Sequence, residues 1–212
     1  MTPDPMYPAE TTAVLHVLDA STWPEADRSR AKEAAALALT AYADHARDQG
    51  TPYIDHPLAV VSILRAELAV TAPNTLLLGL LHDALEVSPS AAPLLTTRLG
   101  ADFVTILQAM TPDHRLEQRT KQLGDKAAWR AKTSRLAPEP LLVRLADRIH
   151  NLRDLRNSPN ADRRERFITA LIEFYLPLAE SARPISAQLN AACSLLQAEY
   201  ERYQHRAGKA GT

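Results

Sequence analysis

The run Leu76-Leu77-Leu78-Gly79-Leu80-Leu81-His82-Asp83-Ala84-Leu85-Glu86-Val87 is apolar on nearly every side, yet it carries an imidazole and two carboxylates. A helix that is hydrophobic all round is a buried helix. A carboxylate inside one costs several kcal/mol unless it is paired or binds a metal. On helical spacing Glu86 falls at i+4 from His82 and i+3 from Asp83, so the segment predicts one continuous helix with three polar groups on a shared face. A metal site with an adjacent proton acceptor is the chemistry that such a trio implies.

The surrounding chain favours helices throughout. Its 212 residues suit one domain with a sizeable core. Aromatics are 5% and glycines number 6, which disfavours a sandwich or barrel. The expected architecture is all-α, with helices over about 10–20, 27–48, 57–69, 74–87, 91–109, 115–135, 140–156 and 162–204, the last broken near Arg183-Pro184. Residues 1–10 and 205–212 read as loose tails around a single domain, 11–204.

Several functional classes are disfavoured. A net charge of −1 gives no overall pull toward nucleic acid or a membrane surface. No apolar run approaches the ~20 residues of a membrane span, and the Met1-Thr2-Pro3-Asp4-Pro5 start lacks the features of a secretory signal. The single cysteine, Cys193, suits a core position in a reducing cytoplasm. The expectation is a cytoplasmic protein; the sequence sets no oligomeric state.

Two further segments carry chemistry. In Gly50-Thr51-Pro52-Tyr53-Ile54-Asp55-His56-Pro57-Leu58 a histidine precedes a proline suited to the first turn of a helix. In the segment 140–156, Leu142, Leu145, Ile149 and Leu152 form an apolar stripe while Asp147, Asn151 and Asp154 form a second, polar one. Each has a plain alternative. His56 taken alone reads equally as a helix-opening residue bonded to backbone, His82-Asp83 as a buried ion pair, and Asp147 as a partner of Arg144 or Arg148. One metal accounts for all of them together.

The ordered set Pro-Tyr-Ile-x-His-Pro, Leu-Leu-His-Asp and Leu-Ala-Asp-Arg-x-His-Asn, between about Ala41 and Leu155, resembles the HD-domain metal-dependent phosphohydrolases. Within them it is similar to the hydrolase domain of the RelA/SpoT alarmone family, especially its small stand-alone members. The resemblance implies an HD-domain helical bundle and metal ligands His56, His82, Asp83 and Asp147. Two imidazoles and two carboxylates suit Mn²⁺, with Fe²⁺ or Zn²⁺ as alternatives, better than Mg²⁺ or Ca²⁺. It also implies Glu86 as the group that handles the proton of an attacking water. Arg47, Asn151 and Tyr53 are implied beside the nucleotide, Tyr53 as a contact or a packing residue.

The activity so implied is removal of the 3′-pyrophosphate from guanosine 3′,5′-bis(diphosphate) or the pentaphosphate. Two departures matter. Where the family pattern has an aspartate after the glutamate, this chain has Val87, and where a basic residue usually follows the arginine it has Asp48. They keep open a different phosphorylated nucleotide, such as an adenosine alarmone or NADPH, or a nucleotide sensor with little turnover. The arginines Arg153, Arg156, Arg163, Arg164 and Arg166 read either as a solvated face or as an attraction for polyphosphate. Tyr175-Leu176-Pro177-Leu178-Ala179 is similar to a segment that follows the hydrolase motifs in longer family members. His150 follows the motif but sits beside the ligand face on the helical wheel, as a packing residue or a support for a ligand, while His16, His45, His114 and His205 carry no supporting pattern.

Overall fold

The computed structural model describes residues 8–210, all of them helix, turn or loop apart from one isolated bridge between Ala46 and Pro52. Residues 1–7 and 211–212 of the expected tails lie outside the described residues. Two compact units are present, one ending at Leu136 and the other beginning at Ala137.

The first unit contains α1 (Pro8–Leu18), α2 (Glu25–Tyr42), α3 (Asp55–Ser62), α4 (Pro73–Leu81), α5 (Ala84–Val87), α6 (Ala92–Leu99), α7 (Ala101–Ala109), α8 (Asp113–Leu116) and α9 (Asp125–Thr133). Helix α4 is its centre. Every residue from Thr75 to Leu81 is buried, as its composition demands, and Pro73 opens it at a position where a missing N–H costs nothing. Helices α2 and α3 pack against it, α2 burying Ala34, Ala35 and Ala38, and α3 with the turn that follows it bringing Val60, Val61 and Leu64 against Gly79. Gly79 permits the closest approach. A Cβ added there would stand 2.6 Å from Leu64 Cδ1 and 3.5 Å from Val61 Cγ2.

The second unit holds α10 (Pro138–Leu155), α11 (Ala161–Ala170), α12 (Leu176–Ala182) and α13 (Ala187–Ala210). Asn160 caps α11, its side chain accepting from the Arg163 N–H at 2.9 Å. Helix α13 packs on α10 and α12, burying Leu189, Ala192, Cys193 and Leu196. Arg183 spans the expected break: it donates to Glu180 on α12 and to Asn190, Ser194 and Gln197 on α13.

Several predicted boundaries move. The helix expected over 115–135 is two short helices, because Arg119 pairs with Asp125 through two 2.8 Å bonds and closes the intervening chain into a loop. Helix α2 stops at Tyr42 rather than 48, and the 91–109 segment breaks at Gly100. The 57–69 and 162–204 segments each contain a wide π-type turn, Ile63–Glu67 and Leu171–Tyr175. Residues 8–10 belong to α1, and α13 continues to Ala210 instead of ending near 204. No helix among the described residues is long and apolar enough to cross a membrane.

Candidate metal centre

The helix predicted to run unbroken over 74–87 is interrupted at its most polar point. His82 and Asp83 form a turn between α4 and α5, and Asp83 has φ −104° and ψ 0°, outside helical geometry. The His82 Nδ1–H donates to the Gly79 carbonyl at 2.8 Å, the carbonyl that an uninterrupted helix offers to the Asp83 amide. The Asp83 carbonyl then begins the next helix by accepting from the Glu86 and Val87 amides.

That bond also fixes the chemistry of the ring. A carbonyl only accepts, so Nδ1 carries the proton and the neutral His82 ring presents a bare lone pair at Nε2. His56, in the first turn of α3, brings its own Nε2 to 3.2 Å from that atom. Asp83 Oδ2 lies 3.3 Å from His82 Nε2 and 3.5 Å from His56 Nε2. All three residues are buried, and their donor atoms lie within 4.8 Å of one another. Lewis-basic atoms converge at this density only where a proton or cation lies among them, and the mixed N/O set fits a divalent transition ion.

Around the trio stands an aromatic frame. Tyr53 O–H donates to Asp83 Oδ2 at 3.0 Å. Its ring stacks on Tyr42 at 5.4 Å between centroids and meets His56 edge-on at 6.2 Å. Tyr42 is tied in turn to the Leu80 carbonyl at 3.2 Å. Burial pushes the Tyr53 phenol well above its ordinary pKa, and the negative charges of Asp83 and then Glu86 push it further.

Tyr53 and Arg47 are set side by side by a tight loop. The Arg47 amide donates to Thr51 O at 2.9 Å, and the Tyr53 amide to His45 O at 3.0 Å. Gly50 turns the chain at φ 82°, a conformation that glycine reaches without strain. The Arg47 guanidinium thereby rests 5.8 Å from the Tyr53 ring centroid. Asp48, beside it, is exposed.

Of the remaining residues singled out from sequence, Glu86 is half-buried on α5, outside the three-residue cluster, with Oε1 3.8 Å from Arg115 Nε. The break falls between Glu86 and His82, the pair expected on one continuous helix. In the second unit Asp147 is buried on α10; its Oδ2 accepts from Arg144 at 3.0 Å and Arg148 at 2.6 Å, and its Oδ1 accepts from Asn151. Arg148 is itself held by aromatic faces, 5.0 Å from the Tyr175 centroid and 5.4 Å from that of Phe167. The plain alternative for Asp147, an ion pair with both arginines, is thus present within its unit. Arg153 of the basic cluster pairs with Glu199 at 2.8 Å. The sequence reading missed the Gly79 carbonyl, Tyr42 and Arg115, because a backbone acceptor and a cross-helix contact leave no local signal.

The family described as HD domain matches residues 34–182. The bifunctional (p)ppGpp synthase/hydrolase SpoT of Escherichia coli is 32% identical over 158 residues, covering 74% of this chain and 22% of that protein. The chain therefore spans about a fifth of the length of such relatives. The mouse guanosine-3′,5′-bis(diphosphate) 3′-pyrophosphohydrolase MESH1 is 29% identical over 150 residues, covering 70% of this chain and 80% of that one. The solved structure of a metazoan ortholog of SpoT that hydrolyses ppGpp aligns with a TM-score of 0.63 at 22% identity, over 88% of this chain and 98% of that one, a likeness of fold.

Proposed function

Because this chain belongs to the HD domain family, we propose that it is a metal-dependent phosphohydrolase that removes the 3′-pyrophosphate from guanosine 3′,5′-bis(diphosphate) or the pentaphosphate, releasing GDP or GTP. The observation that carries this is the buried His56, His82 and Asp83 cluster with its tautomer set by the Gly79 carbonyl, in a chain whose relatives from mouse and Escherichia coli are named for that hydrolysis. Mn²⁺ is the proposed ion. Asp147 is the proposed fourth ligand, on the strength of its place in Leu-Ala-Asp-Arg-x-His-Asn and its burial.

When bound, a divalent ion supplies Lewis acidity to a phosphoryl oxygen and eases ionisation of water. The chain's own groups do the rest. Glu86 accepts the proton of the water whose oxygen bonds to the phosphorus next to the ribose 3′-oxygen. The bond from that phosphorus to the 3′-oxygen breaks, and the electron pair leaves with the oxygen, which takes up a proton to become the 3′-hydroxyl. Arg47, laid against the Tyr53 ring, is the proposed nucleotide contact, since a guanidinium can stack on a base or fork onto phosphate. Asn151 is proposed beside the nucleotide, with Tyr53 as the packing residue under Arg47. A small nucleotide as substrate and a cytoplasmic setting complete the reading.

A second reading keeps the site and changes the substrate to another phosphorylated nucleotide, favoured by Asp48 and Val87 at positions where the family pattern has a basic residue and an aspartate. The test is to incubate Mn²⁺-loaded protein, beside a Glu86→Gln control, with a nucleotide panel. Pyrophosphate from the guanosine alarmone, lost in the control, is the expected outcome. Orthophosphate from NADPH would favour the second reading, and tight binding without product would overturn both in favour of a sensor.

A further inference from the structure

Tyr53 stands in the sequence motif beside the nucleotide loop, but its hydroxyl faces the other way. It donates to Asp83 Oδ2 at 3.0 Å, and that same oxygen lies nearest both imidazole nitrogens. An Asp carboxylate turns on two torsions, the outer one broad, and the observed setting makes Oδ2 the third corner of a triangle with the two Nε2 atoms, 3.3 and 3.5 Å from them. The phenol selects it.

The phenol is itself fixed. Stacking on Tyr42 at an interplanar angle of 19° holds the plane of the ring, the edge contact with His56 at 90° blocks its tilt, and the Tyr42 bond to Leu80 O anchors the pair to the last turn of α4, next to His82. The chain Leu80 carbonyl, Tyr42, Tyr53, Asp83 therefore leaves α4 and returns to the residue just beyond it. The second imidazole is oriented by a different device, the Gly79 carbonyl on His82 Nδ1. Each of these two candidate ligands thus has its own hydrogen-bonded support.

We propose that Tyr53 is a positioning residue for the metal rather than a substrate contact: its hydroxyl orients Asp83, while its ring serves as the platform for Arg47. This rests on the metal reading above, and deepens it by separating two roles within one side chain. Hydrogen-bonded partners of metal ligands are commonly worth 10–100-fold in metal affinity. Tyr53→Phe removes the hydroxyl alone and keeps the ring on which Arg47 and Tyr42 rest.

The test is a calorimetric titration of the metal-stripped full chain with Mn²⁺, in the absence of nucleotide, for wild type, Tyr53→Phe, Asp83→Asn and the double variant. The expected result is a dissociation constant raised about 10–100-fold in Tyr53→Phe, with the metal-free melting temperature little changed. In the Asp83→Asn background the further change to Phe should have little effect, since a neutral amide is a poor ligand whichever way the phenol turns it. Nucleotide affinity of the metal-free Tyr53→Phe protein should match wild type. Equal Mn²⁺ affinity in wild type and Tyr53→Phe would overturn the inference while leaving the metal reading intact. No Mn²⁺ binding by wild type would instead overturn the metal reading itself. An undiminished Phe effect in the Asp83→Asn background would assign Tyr53 a merely structural role and also overturn it.

Discussion

Replacing Gly79 by alanine sets two calculable effects against each other. In the interior of α4, alanine gains about 1 kcal/mol over glycine in helix propensity. Its Cβ would stand 2.6 Å from Leu64 Cδ1, closer than carbon atoms approach, and Leu64 is fully buried beside Val60 and Val61, so it has little room to turn away. Overpacking of a filled core costs about 1–3 kcal/mol. The net is a loss of roughly 0–2 kcal/mol, or up to about 8 °C in melting temperature at 2–4 °C per kcal/mol for a chain of this length.

Two further readouts separate this reasoning from a generic defect. In a Leu64→Ala background the clash is gone, so alanine at 79 should turn stabilising, giving a coupling of about 1–3 kcal/mol in a double-mutant cycle. The Mn²⁺-induced rise in melting temperature should shrink in the single variant, because the same contact sets the separation of α3, which carries His56, from the turn that carries His82. Thermal and urea unfolding with and without Mn²⁺ measures all of it. A Gly79→Ala protein more stable than wild type by the full propensity gain, and additive with Leu64→Ala, would refute the account.

Arg47→Ala should raise KM about tenfold, equivalent to ~1.4 kcal/mol of lost binding, with a smaller change in kcat; steady-state kinetics in which neither moves would remove Arg47 from the nucleotide site. Asp125 is held well below the usual carboxylate range, first by the Arg119 guanidinium and then by the Gln122 amide. Its contribution to stability is therefore present above the unfolded carboxylate value of about 3.9 and lost as pH falls through the lower folded one. Urea midpoints of wild type and Asp125→Asn should differ by a constant amount above about pH 5 and converge at more acidic pH; a gap that persists at the acid end contradicts the pairing. Val87→Asp should raise turnover of the alarmone at some cost in stability, and inactivation by that change would mark the valine as a working part of a remodelled site.

The polar residues of this site were legible because they interrupt apolar runs: His82 and Asp83 stand out in a leucine-rich segment, and His56 stands before a proline at a helix start. The break between α4 and α5 was not. Apolar residues resume directly after it, no glycine or proline marks it, and its cause is a side-chain bond to a backbone carbonyl that periodicity does not encode. For the same reason Glu86 was expected on one unbroken helix with His82, which the turn divides. The false helix over 115–135 has a related origin. Its glutamate, glutamine, lysine and arginine residues all favour helix locally, and the Arg119–Asp125 pairing that bends the chain is a tertiary fact. The polar stripe of α10 was visible, but the two guanidinium partners of Asp147 could be named only as candidates until their geometry was known.

The wide turn at Ile63–Glu67 has a consequence for how such chains change in length. One residue removed from an ordinary α-helix rotates everything on one side of the cut by about 100° relative to the other. A π-type turn holds one residue more than the α-helical turn it replaces, so shortening it by one restores regular helix and leaves both flanking faces where they were. On the near side of this turn lies α3 with His56; on the far side the chain continues toward α4 and His82. Gaps of a single residue in aligned relatives should therefore gather within 63–67, and within the matching turn at 171–175, while the helical stretches between His56 and Ser62 stay free of them. The turn is a place where the length of the chain can vary without moving the histidine.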